Sequence, residues 1–230
     1  MTSLRHRLRD FIDLFSPRYC AVCGCRLNTT EQILCAGCRM RLPYMRTDDF
    51  YDNPISRLFW AKIPVEKAAS FIHYKHDSDS DLLLMQLKYN HRPDIGRSMG
   101  EVMAQDLQRR GFFQDIDAIV PIPLHWKRFW KRGYNQSMQL AMGINKVTRI
   151  PILGKAVWRV RNNESQTSKS FQERMENVDD LFEAKPITPY RHILIVDDVL
   201  TTSATMLACA KALLDKNPGI SMSILTLAKA

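Results

Sequence analysis

The stretch His192-Ile193-Leu194-Ile195-Val196-Asp197-Asp198-Val199-Leu200-Thr201-Thr202-Ser203-Ala204-Thr205 decides how this chain is read. Residues 193–196 are apolar without a break, which suits a strand covered on both faces, as in parallel sheets. Two adjacent acids follow, then a hydroxyl-rich loop, then an apolar helical stretch over Thr205–Leu214. Acids at the C-terminal end of a parallel strand sit where open α/β sheets bind their ligands. Neighbouring carboxylates can grip the vicinal hydroxyls of a ribose. Backbone N–H groups at a helix N-terminus, joined by the hydroxyls of Thr201, Thr202, Ser203 and Thr205, can hold a phosphate monoester. A sugar 5-phosphate has that shape.

Outward from this loop, the elements alternate. Strands are expected at Ala68–Tyr74, Ile116–Ile122, Val157–Val160 and Ser221–Leu227. Helices are expected through Leu82–Leu87, capped by Asp79 or Ser80, over 97–109 with Met99, Val102, Met103 and Leu107 on one side, and over 135–148. Such alternation predicts an α/β fold with a mostly parallel sheet. Apolar residues Leu4, Leu8, Phe11, Ile12, Leu14 and Phe15 predict a further helix over 3–17, ended by Pro17. The polar segment 46–57, with Asp48, Asp49, Asp52, Asn53 and Pro54, reads as a linker between a module at 1–46 and a larger domain at 60–230.

A second signal is Val120-Pro121-Ile122-Pro123-Leu124-His125, followed by Lys127, Arg128, Lys131, Arg132, Gly133, Tyr134, Asn135, Gln136 and Ser137. It predicts a strand, a proline-stiffened turn and a cationic loop, with Asn135 or Ser137 opening the next helix. Concentrated cations just past a strand suit a diphosphate, Arg being favoured for two-pronged contacts.

Of six cysteines, four form Cys20-x2-Cys23 and Cys35-x2-Cys38. Four thiolates close a tetrahedral zinc site with no open position, so the expected metal is structural. Cys25 competes with Cys23 as a ligand. Cys209, in an apolar helical stretch, is expected to be a buried small hydrophobe. The flanking Tyr19, Arg39, Arg41 and Arg46 hint at a nucleic-acid or protein contact. The net charge of +9 favours anionic partners. No apolar run reaches the ~20 residues that a membrane span requires. The charged N-terminus lacks the apolar stretch of a secretory signal, so a cytoplasmic location is expected.

Together, the 120–137 stretch, the DDVLTTSAT loop and the CxxC pairs resemble the ComF/GntX-type family, bacterial proteins with a zinc module and a type I phosphoribosyltransferase domain. Further points of resemblance are Leu87-Lys88-Tyr89 with Arg92, the stretch Arg161–Arg174, Asn177-Val178, Phe182 and Thr226-Leu227-Ala228, so the likeness covers nearly the whole chain. It implies that phosphoribosyl diphosphate (PRPP) binds here together with Mg²⁺, the phosphoribosyl group passing to an unidentified acceptor. Asp197 and Asp198 would hold the ribose hydroxyls as catalytic residues. Thr201, Thr202, Ser203, Ala204 and Thr205 would cradle the 5-phosphate, with Arg128, Arg132 and Lys88 on the diphosphate side. Residues 161–174, with Arg161, Gln166, Thr167, Lys169 and Arg174, would form a lid, and Phe171 or Tyr134 could stack on a base. Ser203 stands where the family has Gly, which bears on catalytic strength more than on ligand class. Two other roles are consistent with the resemblance: a competence accessory that binds single-stranded DNA or a DNA-uptake partner such as a helicase, and a sensor that binds PRPP or a nucleotide without turnover.

Overall fold

The computed structural model describes residues 17–160 and 181–230. The helix expected over 3–17 and the lid expected over 161–174 lie outside the described residues, as does Asn177-Val178.

Four strands form a parallel sheet: β1 (Val65–His73), β2 (Ala118–Pro121), β5 (His192–Leu200) and β6 (Ser221–Lys229), in the order β1-β6-β5-β2. A separate antiparallel pair joins β3 (Val157–Arg159) to β4 (Phe182–Ala184). Helices are α1 (Ala36–Arg41), α2 (Asp79–Tyr89), α3 (Pro93–Arg109), α4 (Trp126–Arg132), α5 (Gln136–Thr148) and α6 (Ala204–Lys216).

The all-apolar run of β5 works as expected, because both faces of the sheet are covered. Leu194 and Val196 pack with α3 and α5 on one side. Ile193 and Ile195 pack with α6 and the β3–β4 pair on the other. The alternation of side chains along a strand thus divides one apolar run between two cores. α3 and α5 cross at glycines, where a Cβ on Gly100 would meet the Leu140 carbonyl and one on Gly143 the Arg97 carbonyl.

Chain direction reverses between β2 and β5. From β2 the chain passes through α5 to Ile152, which bridges Ile119 in parallel on the outer side. From β5 it passes through α6 to β6 on the other side. The crevice between β2 and β5 is therefore the topological switch point, the preferred ligand position in open α/β sheets.

Five expectations need correction. The segment after β2 is the helix α4, not a loop: His125 caps it by accepting from the Lys127 N–H at Nδ1 (3.3 Å), and Gly133 closes it at φ +76°. The strand at 157–160 belongs to the antiparallel pair and not to the parallel sheet, and its partner β4 was not expected. The N-cap of α2 is Ser78, which makes no side-chain cap bond. The acids do not terminate β5, whose Val199 and Leu200 still pair with β6. The segment 46–57 is built into the fold. Asn53 is buried, donates to the carbonyls of Asp49, Phe50 and Ala68, and accepts from the N–H groups of Ile55 and Ser56.

Candidate functional site

The site forms where β2 stops and β5 continues. β2 pairs with β5 only as far as Pro121 opposite Val196, and the Ile122 N–H still donates to the Val196 carbonyl. Asp197 and Asp198 come next on β5, past the end of β2. Asn135, the N-cap of α5, fastens the crevice wall: its Nδ2 donates to the Ile122 carbonyl (2.9 Å), and its Oδ1 accepts from the Ser137 N–H (3.0 Å). Of the two helix openers considered from sequence, Asn135 is therefore the cap, and Ser137 is left to act elsewhere. Its hydroxyl donates to Asp197 Oδ1 at 2.8 Å.

Burial and then the charge of Asp198 push the Asp197 carboxyl up to about 7, against the opposing pull of the Ser137 hydroxyl, the Asp198 N–H and Lys88. Two carboxylates this close resist ionising together. Lys88, at the end of α2, places its Nζ 3.8 Å from Asp198 Oδ2, with both side chains mostly shielded from solvent.

The loop Thr201–Ser203 leads into α6. Thr201 and Thr202 are exposed, and Ser203 makes no side-chain cap bond, so the first N–H groups of α6 are open to an anion together with the hydroxyls of Thr201, Thr202, Ser203 and Thr205. Ser203 adopts φ −67° and ψ −7°. Any L-residue takes that conformation, so the backbone here has no need of glycine.

Of the basic residues, Arg132 donates to Gln136 Oε1 at 3.0 Å and lies over the Tyr89 ring. Arg128 is exposed and close enough to Arg159 for its charge to be felt there. Arg159 was not anticipated. It extends from β3 over the Phe182 ring at 5.4 Å. Burial and then Arg128 hold its guanidinium below its ordinary value, while Asp197 pulls the other way. A lone cation in a short, half-exposed strand carries no signal of its own. Only the packing of β3 brings Arg159 near enough to Asp197 for its charge to be felt.

The sulfur atoms of Cys20, Cys23, Cys35 and Cys38 all lie within 4.8 Å of one another, a cluster that could bind zinc. The Cys35 N–H points at Cys20 Sγ (3.4 Å) and the Cys38 N–H at Cys35 Sγ (3.5 Å). Backbone N–H donation also holds the thiols of Cys23 and Cys35 below their ordinary range. Gly24, at φ +70°, makes the turn that lets the first pair close. Cys25 is exposed and outside the four, and hydrogen bonds to Cys23 and then Cys35 push its thiol up to about 12. Cys209, on α6, is buried in the core. No helix among the described residues is long and apolar enough to cross a membrane.

No protein-family model matches the chain. It is similar to Competence protein F of Haemophilus influenzae, 27% identical over 207 residues that cover 84% of this chain and 90% of that protein. DNA utilization protein YhgH of Escherichia coli K12 is 28% identical over 198 residues, covering 85% and 83%. Competence protein ComFC of Bacillus subtilis is 33% identical over 113 residues, covering 49% and 44%.

Proposed function

We propose, for a chain that its relatives make a ComF-family protein, that the crevice between β2 and β5 binds PRPP. One observation carries this reading: Asp197, Asp198 and the open N-terminus of α6 share one turn of chain at the switch point. In this reading the two carboxylates grip the ribose hydroxyls. The N–H groups and hydroxyls of residues 201–205 receive the 5-phosphate. Arg128, Arg132, Lys88 and Arg159 supply positive charge on the diphosphate side, with Mg²⁺ accompanying the diphosphate as part of the substrate. Transfer displaces diphosphate from C1 of the ribose. The chain's own contribution is to fix the sugar and to offset charge where it develops. Ser137 and Lys88 both favour the charged form of Asp197.

The test is calorimetric titration of PRPP with Mg²⁺ into the wild-type protein and into the Asp197→Asn/Asp198→Asn variant. Saturable binding that weakens at least tenfold in the variant is expected. Absence of binding to the wild type, or equal binding to both, overturns the reading. Diphosphate release in the presence of candidate bases and amines then separates a transferase from a sensor that binds without turnover.

A second reading is supported by the relatives, named for competence and DNA utilization. In it the chain acts in DNA uptake, in contact with single-stranded DNA or a helicase partner, and the net charge of +9 favours such polyanions. The two readings are compatible, since one is about a crevice and the other about a surface.

A further inference from the structure

The helix α4, Trp126-Lys127-Arg128-Phe129-Trp130-Lys131-Arg132, buries none of its residues. Its three aromatic side chains are largely in water: Trp126 is 61% exposed, Phe129 48% and Trp130 81%, the last being the most exposed large hydrophobic among the described residues. At about 100° per residue, Trp126, Phe129 and Trp130 share one side of the helix, and the four cations lie on the other. An amphipathic helix ordinarily turns its apolar side inward. Here the orientation is reversed. Arg132 reaches inward to Gln136 and Tyr89, and Arg128, though exposed, is near enough to Arg159 for its charge to be felt there. The rings are left outside, with Lys127 Nζ 5.9 Å from the Trp126 ring centroid and Lys131 exposed.

We infer that this outward face is a stacking platform for single-stranded DNA. The proposal deepens the DNA-uptake reading and is independent of the sugar-phosphate crevice. Every apolar residue of α4 is aromatic, and flat rings offer unpaired bases a surface that aliphatic side chains do not. The occupant must also be anionic, because Lys127 and Lys131 border the rings and the chain carries +9 overall. Single-stranded DNA meets both demands, with bases on the rings and phosphates along the lysines. A lipid surface is a poorer fit, because α4 has only seven residues and one of its cations, Arg132, is turned toward the protein.

The experiment titrates the full chain into an end-labelled oligothymidylate and follows the label's anisotropy in every variant, with quenching of tryptophan fluorescence read in the wild type. The wild type should bind with quenching, more weakly as salt rises. Trp126→Ala and Trp130→Ala should each weaken binding about tenfold. Lys127→Glu/Lys131→Glu should flatten the salt dependence. Both positions of each pair are exposed, so a thermal melt should show these variants folded. PRPP titration of the tryptophan variants should be unchanged, and Asp197→Asn/Asp198→Asn should still bind the oligonucleotide, which separates failure of this idea from failure of the crevice reading. Unchanged oligonucleotide affinity in the Trp126→Ala/Trp130→Ala double variant overturns the inference. So does the absence of wild-type binding at low salt. Loss of binding to vesicles of equimolar phosphatidylglycerol and phosphatidylcholine, with oligonucleotide binding intact, also overturns it and assigns the face to a membrane.

Discussion

Asp197 shows how one residue links fold to function. Its carboxyl is pushed up to about 7 by burial and by Asp198, whereas an unfolded chain titrates near ~3.9. Between about pH 4 and pH 7 the folded protein therefore holds a proton that the unfolded chain has released. Stability at this position is greatest at the acid end of that window and falls as the pH rises through it. Asp197→Asn removes the dependence. The variant should unfold later than wild type at about pH 8, by about 1–3 kcal/mol once the partial solvent exposure of the side chain is allowed for. Near pH 4 the two should coincide, apart from any change at the Ser137 bond. Urea unfolding of both proteins at the two pH values checks this, and a gap that does not vary with pH would refute it. In the proposed reading the same substitution should weaken sugar-phosphate binding, so stability and function oppose each other at this position. The acid pair was legible in sequence because it interrupts an apolar strand. Its partners were not, since Ser137 and Lys88 lie on other elements and reach Asp197 and Asp198 only after folding.

At the level of elements, the tightest requirement is the crossing of α3 and α5. A Cβ on Gly143 would meet the Arg97 carbonyl and lie 2.8 Å from the Glu101 nitrogen and 2.9 Å from Gly100 Cα, all of them backbone atoms that cannot rotate away. Gly143→Ala should therefore destabilise by about 1–3 kcal/mol or more. In Gly37→Ala, by contrast, the added Cβ finds only a flexible Arg41 nitrogen at 3.5 Å, and that variant should be neutral or slightly stabilising. Urea midpoints rank the two, and equal midpoints would mean that the helices separate freely. Because α5 carries Asn135 and Ser137 into the site, Gly143→Ala should also weaken ligand binding. The strands of the parallel sheet were readable because burial on both faces makes them apolar throughout. The helix α4 was misread as a loop because seven residues with four cations show no inward apolar stripe, the same reversal that leaves its rings exposed. The pair β3–β4 was half missed because three residues per strand carry too little pattern, and with it went Arg159.

For the molecule as a whole, the question is whether the cysteine cluster is an appendage or a keystone. Cys20, Leu27, Ile33, Leu34, Cys38 and Leu42 belong to the same apolar core as Phe71, Ile72 and Leu83 of the α/β body. Met45 and His73 exchange backbone bonds across that boundary, with Phe71 and Pro43 respectively (2.9 and 2.8 Å), and Arg41 pairs with Asp79 at 2.9 Å. The module thus covers the free edge of β1, an edge that would otherwise offer unpaired strand to other chains. Sequence spacing foresaw the cluster and placed a linker after it, but it could not show that this segment is itself buried, Phe50 in the core shared with the cysteines and Ile55 and Phe59 in the second core. A structural metal contributes its binding free energy to whatever folds with it. With a shared core, that is the whole chain. The protein should carry one zinc ion, and a strong chelator or Cys35→Ser should lower the unfolding midpoint of the entire molecule in a single transition. Tryptophan fluorescence reads this cleanly, because Trp60, Trp126, Trp130 and Trp158 all lie outside the cysteine module. A midpoint that stays put while zinc is released would make the module an independent appendage. A midpoint that falls with it would make metal loading a condition for keeping both the crevice and the aromatic face of α4 in place.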